Sequence, residues 1–234
     1  GKDNFLKIQG SITNAQSLEE LHVKKIQIKS LLSKDFLTHL LHAFINLSHV
    51  DSIKDEFVSF SIGGSGSLKE FDGKMDIRGF LGSARLSLQT YTHNQELNGE
   101  LSCELNDFFP RVFLNDLPVG QLTANLKINF QNLLKKYHLD VRGNVEKINL
   151  YYREIGKISV QASISQDKIS TQVDVNDPMV QAELYAQIGL NSENAKVQAR
   201  IGSLNLSALG LQRIDTLPTF FAVNIDFALH GFDL

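Results

Sequence analysis

The fold is indicated by the stretch Gln121–Phe130, which reads QLTANLKINF. Every second residue of it is apolar, and polar residues stand at the positions between. Successive side chains of a β-strand point to opposite faces of the sheet, so this period of two predicts a strand with one apolar and one solvated face. Such one-sided strands are typical of antiparallel sheets, whereas strands of parallel sheets are usually apolar on both faces.

The same alternation recurs along most of the chain. It appears in four long segments and in two shorter ones: Ile158–Ile164, Val180–Leu190, Ala195–Ile201, Phe221–Leu229, Ala84–Leu88 and Leu101–Leu105. The segments lie one after another without a linker or a change of composition between them. We therefore expect the 234 residues to form one elongated β-rich unit.

Turn-forming residues interrupt the alternation at short intervals. They supply turns, bulges or bends at Gly79–Gly82, Asn98-Gly99, Arg142-Gly143 and Asn176–Pro178. Within the last of these, Asp177-Pro178 suits the first two positions of a type I turn. The spacing of these signals predicts about a dozen strands in sequential order, an all-β, curved antiparallel meander with short connections.

One segment has a different period. Over Asp35–Leu47 the apolar residues recur three or four positions apart, and Ser33 is suited to cap a helix that follows it. This pattern predicts one amphipathic helix near residues 34–46, with these side chains on its buried face: Phe36, Leu37, Leu40, Leu41, Phe44 and Ile45. The stretch Asp107–Gly120 is expected to be an irregular connection.

Composition and charge exclude several classes of protein. The net charge is −3, which argues against a strongly basic nucleic-acid-binding surface, so no nucleic acid partner is expected. A single cysteine, Cys103, excludes an intrachain disulfide framework and a cysteine-based zinc site. No apolar run approaches the roughly 18 residues of a membrane-spanning helix.

The residues that carry chemistry in other proteins form no recognisable site here. Gly63–Ser67 is rich in glycine but lacks the Gly-Lys-Ser/Thr of a phosphate loop, so a bend or bulge in a strand is the better interpretation. His39, His42 and His49 have no accompanying metal-binding motif. Cys103 lies between Leu101 and Leu105 on the apolar face, where a thiol behaves as a small hydrophobic group.

The remaining candidates also have simple structural explanations. The carboxylate pairs Glu19-Glu20 and Asp55-Glu56 are adjacent in sequence and point in different directions, so they are interpreted as solvated charges. Tyr151-Tyr152 and Phe220-Phe221 lack the interleaved basic residues of a base-stacking surface, which favours a role in packing. We predict neither an enzyme nor a bound cofactor or metal.

A meander of one-sided strands has to cover its apolar face. It closes into a barrel, folds into a packed sandwich, or curls into a trough that holds apolar ligands, and the residues alone favour the sandwich and the trough equally. The candidate lining of a trough consists of apolar residues that alternate along the predicted strands: Leu86, Leu88, Leu101, Leu105, Leu122, Ala124, Leu126, Ile128, Ile158, Val160, Ala162, Ile164, Val173, Val175, Val180, Ala182, Leu184, Ala186, Ile188, Val197, Ala199, Ile201, Val223 and Ile225.

Several segments, in this order along residues 55–212, resemble the C-terminal part of TamB-type proteins, subunits of the translocation and assembly module of Gram-negative envelopes. The resemblance is carried by Phe60–Gly66, Phe71–Met75, Leu81–Leu86, Leu150–Val160 (LYYREIGKISV), Val173–Ala182 (VDVNDPMVQA) and Ala199–Leu211. The chain has Asp177-Pro178-Met179 where this family is expected to have an Asp-Pro-Asn turn. The departure affects only the detail of that turn.

The resemblance implies a U-shaped sheet with an apolar interior, called a β-taco, related to AsmA-like and bridge-like lipid transfer proteins. It implies that the chain is an excerpt of a larger envelope protein, anchored in the inner membrane outside this stretch and crossing the periplasm. The implied partners are phospholipid, an outer-membrane barrel of the TamA/BamA kind, and unfolded outer-membrane proteins. The implied roles are phospholipid transport between the two membranes and assistance to outer-membrane protein assembly.

Three functions are open at this point. The first is a conduit for phospholipid acyl chains, which the uninterrupted one-sided alternation favours. The second is a protein-interaction or chaperone module that offers its sheet edges to outer-membrane protein clients by strand addition. The third is a structural spacer with a tightly packed core.

Overall fold

The residues that the structure describes form one antiparallel sheet of 13 strands arranged in sequence order. The computed structural model describes residues 4–14, 22–33, 36, 57–67, 69–110, 119–132, 136–150, 153–190, 194–205 and 222–230. The strands are β1 (Phe5–Thr13), β2 (His22–Ser33), β3 (Phe57–Ser67), β4 (Glu70–Gly79), β5 (Gly82–His93), β6 (Glu96–Phe108), β7 (Val119–Gln131), β8 (His138–Leu150), β9 (Arg153–Ser165), β10 (Lys168–Asn176), β11 (Val180–Gly189), β12 (Asn194–Leu204) and β13 (Val223–His230). The predicted all-β antiparallel meander is confirmed.

The sheet is open and not closed into a barrel, because β1 and β13 stand at its two ends and do not pair with each other. The curved, elongated shape leaves much of the chain accessible to solvent. The accessible surface is 15589 Å². A compact protein of 26.2 kDa would expose about 10,600 Å². The described strands therefore form one extended layer and not a rounded domain.

Short hairpin turns set the register of several strand pairs. Asn94 and Gln95 join β5 to β6 with φ angles of 51° and 63°. Two central residues with positive φ are the mark of a type I′ turn, whose twist matches that of the flanking strands. Phe80 and Leu81 join β4 to β5 between Gly79 (φ 149°) and Gly82 (φ 86°). The turn predicted at Gly79–Gly82 is thus present.

The turn predicted at Asp177-Pro178 connects β10 to β11. The backbone N–H of Asp177 donates to the Val180 carbonyl at 3.0 Å, and the Val180 N–H returns a bond at 3.2 Å. The buried Asp177 carboxylate accepts one bond from the Met179 N–H at 2.8 Å and another from the Gly156 N–H at 2.9 Å. One side chain therefore fastens this turn to the neighbouring strand β9.

The other glycine signals fall inside strands. Gly63–Gly66 lie within β3, in agreement with the interpretation of this segment as part of a strand. Gly99 lies within β6 and Gly143 within β8. A Cβ atom at Gly143 would overlap the side chain of Leu126 on the neighbouring strand, so the glycine allows the close approach of that side chain.

Several sequence predictions concern residues outside the described ranges. Only Phe36 of the predicted helix 34–46 is described. Its N–H donates to the Ser33 hydroxyl at 3.2 Å, the bond expected of a helix-capping serine. The following predicted residues also lie outside the described part of the chain: His39, His42, His49, Glu19-Glu20, Asp55-Glu56, Tyr151-Tyr152, Phe220-Phe221 and positions 111–118.

The meander gives the sheet two long edges at the ends of its strands. The Phe80 edge is formed by the last residues of the even-numbered strands β2 to β12 and the first residues of the odd-numbered strands β3 to β13, and it includes the turns at 80–81 and 177–179. The Asn94 edge is formed by the opposite strand ends and includes the turns at 94–95 and 166–167. A small cluster is packed at the Phe80 edge, where Val58, Phe80 and Leu81 are 0%, 2% and 5% exposed.

Candidate functional site

One row of apolar residues crosses the whole sheet. Residues that pair directly across an antiparallel ladder lie on the same face, so the register defines which side chains are neighbours. This central row takes one residue from each of the 13 strands. It consists of Ile8, Ile28, Ile62, Met75, Leu86, Cys103, Leu126, Gly143, Val160, Val173, Leu184, Ala199 and Ile225.

Parallel rows flank the central row and extend the same face, called here the apolar face. On one side Leu88, Leu101 and Ile128 are consecutive partners in β5, β6 and β7. On the other side Val175, Ala182 and Ile201 are partners in β10, β11 and β12. The register places all the lining residues predicted from the sequence on this one face.

The sequence prediction did not include the part of this face that lies on the first four strands. Ile8, Ile28, Ile62 and Met75 continue the central row there. Irregularities conceal their alternation, because the pairing of β2 with β3 shifts between Val23 and Ile26. The alternation of Ile26 and Ile28 with polar residues was nevertheless a detectable signal in the sequence.

The side chains of the apolar face are only partly covered. Leu184, inside the sheet, is 37% exposed, and Ile225 on the last strand is 50% exposed. On the first strand Leu6 and Ile8 are 64% and 62% exposed. Within the described ranges all strands belong to one sheet, so no second layer of these strands packs against the face. The described part of the chain is thus not a tightly packed sandwich.

Large side chains lie flat against glycines on the apolar face. A Cβ atom at Gly73 or Gly64 would come within 2.6 or 2.7 Å of the Phe71 ring. A Cβ atom at Gly99 would overlap the Phe130 ring in the same way. An aromatic ring over a cross-strand glycine covers backbone that would otherwise be bare. These rings therefore fill the face without standing high above it.

The stretch of the face between β8 and β12 is aliphatic or glycine apart from Thr171 and Arg153, which pairs with Leu150 at the Phe80 edge. The Thr171 hydroxyl donates to the Gln161 carbonyl at 3.3 Å, so its polar hydrogen is directed to the neighbouring strand. This stretch therefore offers a long apolar surface without aromatic rings, and its one charged side chain is Arg153 at the Phe80 edge.

Cys103 occupies the centre of the apolar face, between Leu86 and Leu126 in the central row. Burial raises the pKa of its thiol above the ordinary value, and the negative charge of Glu104 adds to the shift. A raised pKa keeps the thiol protonated at neutral pH, and the protonated thiol is a poor nucleophile. These features support the interpretation of Cys103 as a small hydrophobic residue.

The opposite face, called here the polar face, carries a ladder of cross-strand polar pairs. The Arg85 guanidinium lies 3.0 Å from Asp76 and 3.3 Å from Glu104, on the strands to either side. The hydrogen bond to Asp76 and the charges of both carboxylates raise the pKa of Arg85. Further along, Lys127 Nζ lies 2.7 Å from Glu100. These pairs give the sheet a solvated side.

Shallow pockets lined by described residues lie on the polar face near both ends of the sheet. One, of about 560 Å³, is lined by residues that include Glu183, Tyr185 and Arg200. Another, of about 600 Å³, is lined by residues that include Glu70, Asp72 and Gln89. Polar and charged residues predominate around the first, whereas the second also includes Phe71 and Tyr91. Among the described residues no group of three or more histidine, cysteine or acidic residues is arranged to hold a metal ion.

In the described part of the chain, no helix is both long and apolar enough to cross a membrane. Comparison of the chain with protein-family models, with curated proteins and with solved structures finds no match.

Proposed function

We propose that the chain binds the acyl chains of phospholipids on its apolar face and acts as a segment of a lipid conduit. The observation that carries the proposal is the central row, in which 13 strands contribute one apolar residue or glycine each to an uninterrupted, partly exposed band. Soluble proteins rarely leave so large a continuous apolar surface uncovered, and such surfaces commonly mark binding sites.

The physical basis of binding is the transfer of hydrocarbon out of water. Each methylene group that is buried contributes about 0.8 kcal/mol, so two acyl chains laid on the face gain many kcal/mol. The charged head group remains in water, because burial of an unpaired charge is costly. Since neighbouring strands present similar aliphatic residues, a lipid has many sites of similar energy and moves along the face from one strand to the next.

The proposal includes a cellular setting, which rests on the resemblance to TamB-type proteins. The chain would be a periplasmic part of a protein anchored in the inner membrane, with a TamA/BamA-like barrel as its outer-membrane partner. Phospholipid would then move between inner and outer membranes along the sheet. The same assembly would assist the insertion of outer-membrane proteins.

A direct test is the detection of lipid on the purified protein. Native mass spectrometry and lipid extraction are expected to find bound phospholipid. The delipidated protein is expected to bind a fluorescent fatty acid such as cis-parinaric acid. Absence of both bound lipid and probe binding would contradict the proposal.

A matched pair of variants separates the apolar face from the polar face. Ile225 lies in the central row and is 50% exposed, so Ile225→Asp is compatible with folding. Asn224→Asp introduces a charge at the adjacent position, which is exposed on the polar face. We expect Ile225→Asp to slow lipid transfer between donor and acceptor vesicles and Asn224→Asp to leave it unchanged. Equal transfer by both folded variants would argue against the apolar face as the binding surface.

A second candidate function is strand addition at a free edge. Every residue of β1 from Phe5 to Ile12 is exposed, and on its outer side β1 pairs with no described strand. An exposed strand edge is a template for an incoming strand of another chain. This observation favours a chaperone role, in which outer-membrane protein segments add to the sheet.

The two functions are distinguished by where protection appears. Strand addition would slow amide hydrogen exchange in β1 when a lipid-free protein is mixed with unfolded outer-membrane protein. Lipid binding would instead slow amide hydrogen exchange in the central strands, whose side chains form the apolar face. Protection confined to β1 would favour the chaperone function over the conduit.

A further inference from the structure

The polar face carries two adjoining pockets over strands β10 to β13, and together they form one groove. The larger pocket, of about 560 Å³, and the smaller, of about 380 Å³, share the residues Glu183 and Arg200. Pockets of this size are typical of binding sites for small organic molecules. The groove lies opposite the face that is proposed above to bind lipid, so ligands of the two faces would not compete.

Cross-strand pairing brings the side chains of the groove into rows. Residues paired across an antiparallel ladder stand on one face of the sheet. Tyr185 of β11 is paired with Gln172 of β10 on one side and with Gln198 of β12 on the other. In the adjacent row Glu183 is paired with Arg200. The tyrosine ring thus has an amide side chain on each side and a pair of opposite charges two residues away along the strands.

The aromatic ring of Tyr185 is held in place on the polar face. Its hydroxyl donates to Oε1 of Gln187 at 2.8 Å, two residues further along β11. This bond directs the ring along its own strand, and the side chain remains half-exposed. The ring therefore offers an apolar surface to a ligand, while its polar end is already bonded within the protein.

Carboxylates hold the two amide groups that flank the ring. Nε2 of Gln172 donates to the two carboxylate oxygens of Asp174 at 3.3 and 3.1 Å, and Nε2 of Gln198 donates to Asp226 at 3.0 Å. A side-chain amide has two N–H donors and an oxygen that accepts. The carboxylates are thus engaged by neutral groups of the protein, and the groove presents amide donors and acceptors at fixed positions.

The charge of the groove disfavours anionic ligands. Asp174, Glu183 and Asp226 outnumber Arg200, the one cation of its lining. Arg200 lies 4.0 Å from Glu183, and the two side chains are 69% and 66% exposed, so the guanidinium N–H groups are accessible to a ligand. A phosphate or another anion would be repelled by the excess of carboxylates.

We propose that this groove binds a neutral oligosaccharide in an extended conformation. A sugar ring has an apolar face that packs on an aromatic ring, and its hydroxyls both donate and accept hydrogen bonds, which matches the amides beside Tyr185. Between Gln181 and Tyr185 the groove runs about 13 Å along β11, long enough for more than one sugar ring. A peptide fits less well, because the face of a sheet, unlike its edge, offers no ladder of N–H and C=O groups.

Binding is tested on the unmodified protein with two neutral sugars, chitotetraose and cellotetraose. Isothermal titration calorimetry is expected to detect binding of at least one of them, and NMR shift changes are expected in β10 to β13. Because the ligand is uncharged, its affinity is expected to change less than about twofold between low and high salt. Absence of binding by both sugars would overturn the proposal. Preferential binding of a lysine-rich peptide, with an affinity that falls at high salt, would overturn it as well.

Variants on the polar face locate the site. Tyr185→Ala removes the ring and is expected to weaken sugar binding about tenfold or more, whereas Tyr185→Phe keeps the ring and changes binding less than about threefold. Gln198→Ala is also expected to weaken binding. The control Asn144→Ala, at an exposed polar-face position of β8, is expected to leave it unchanged.

The results for the two faces are separate. Phospholipid binding is expected to be the same in Tyr185→Ala and in the unmodified protein, so loss of one activity does not imply loss of the other. Undiminished sugar binding by folded Tyr185→Ala, or equal losses in Gln198→Ala and Asn144→Ala, would contradict the site at this groove.

Discussion

At the scale of single residues, two glycines of one strand segment have different roles. Gly66 has a φ angle of 128°, and a Cβ atom there would overlap the Glu70 carbonyl oxygen. Gly63 has room, since the nearest atom to a Cβ would be the Ile26 carbonyl oxygen at 3.8 Å. The conformation of Gly66 is one that side-chain-bearing residues rarely adopt.

We therefore predict opposite outcomes for two alanine substitutions in this segment. Gly66→Ala is expected to lower the free energy of unfolding by more than about 1 kcal/mol, because backbone strain and overlap add together. Gly63→Ala is expected to leave it unchanged or raise it by about 0.5 kcal/mol, since alanine reduces the freedom of the unfolded chain. Urea denaturation measures both, and equal destabilisation by the two would contradict the assignment.

A second prediction at this scale concerns Asp177. Asp177→Ala removes the acceptor of two backbone N–H groups and leaves them without a partner in a buried turn. The expected loss is about 1–3 kcal/mol in the free energy of unfolding. Asp226→Ala, at an exposed position of β13, serves as the control and is expected to change stability by less than about 0.5 kcal/mol. Chemical denaturation measures both values, and an Asp177→Ala variant as stable as the control would contradict the role of this carboxylate in fastening the turn to β9.

The thiol of Cys103 provides a third prediction. Because burial raises its pKa, the thiolate fraction at pH 8 is smaller than that of a free cysteine. Alkylation by iodoacetamide is thus expected to be slow at pH 8 and to accelerate only at a higher pH than for a small free thiol. Since Cys103 lies in the central row, bound phospholipid is expected to slow the reaction further. A rate equal to that of free cysteine would contradict the buried position.

At the scale of strands and hairpins, the Phe80 turn is expected to stabilise only its own neighbourhood. The main contacts of each strand are with its sequence neighbours, as in repeat proteins whose units stabilise one another pairwise. Phe80→Ala removes a nearly fully buried ring and is expected to cost about 3–5 kcal/mol locally. Hydrogen exchange should then become faster in β3 to β6 and remain unchanged in β10 to β12.

The control for this prediction is a phenylalanine outside the cluster. Phe5 is 50% exposed on the first strand, so Phe5→Ala is expected to have little effect on exchange in β3 to β6. Uniformly faster hydrogen exchange along the whole sheet in the Phe80→Ala variant would show that the sheet unfolds as one cooperative unit. That result would contradict the prediction of a local effect.

The strands were predictable because their signal is local. The alternation over Gln121–Phe130 indicates the face of the sheet on which each side chain lies. Short turns set the register of the next strand, so its apolar residues lie on the same face. The burial of Phe80 was not predictable in the same way. It depends on Val58, more than 20 residues away in sequence, and two apolar residues between glycines read only as a turn.

The common face of the candidate lining residues was predictable, but what lies against that face was not. Alternation like that of Val160, Ala162 and Ile164 occurs in a packed sandwich as well as in an open trough, because both need one apolar face. The distinction depends on whether a second layer covers that face, which is a property of chain path. On β1 to β4, bulges and glycines such as Gly64 and Gly73 interrupt the period and concealed the continuation of the face.

At the scale of the whole molecule, the single layer determines overall dimensions. Strands about 4.8 Å apart give a sheet of 13 strands a length of about 58 Å. A compact protein of 234 residues would have a radius of gyration of about 17.5 Å. Because the sheet is longer than a compact protein, small-angle X-ray scattering is expected to give a radius of gyration of about 20 Å or more. A value at or below that of the compact protein would contradict the open sheet.

The strictly sequential order of the strands also has a consequence for how the protein acquires its structure. Each strand pairs with the one made just before it, so the contacts that define the sheet span few residues, and such topologies fold quickly for their size. Each new hairpin adds to a template that already exists. We therefore expect the sheet to be able to grow strand by strand during synthesis, without an early strand waiting for a late one.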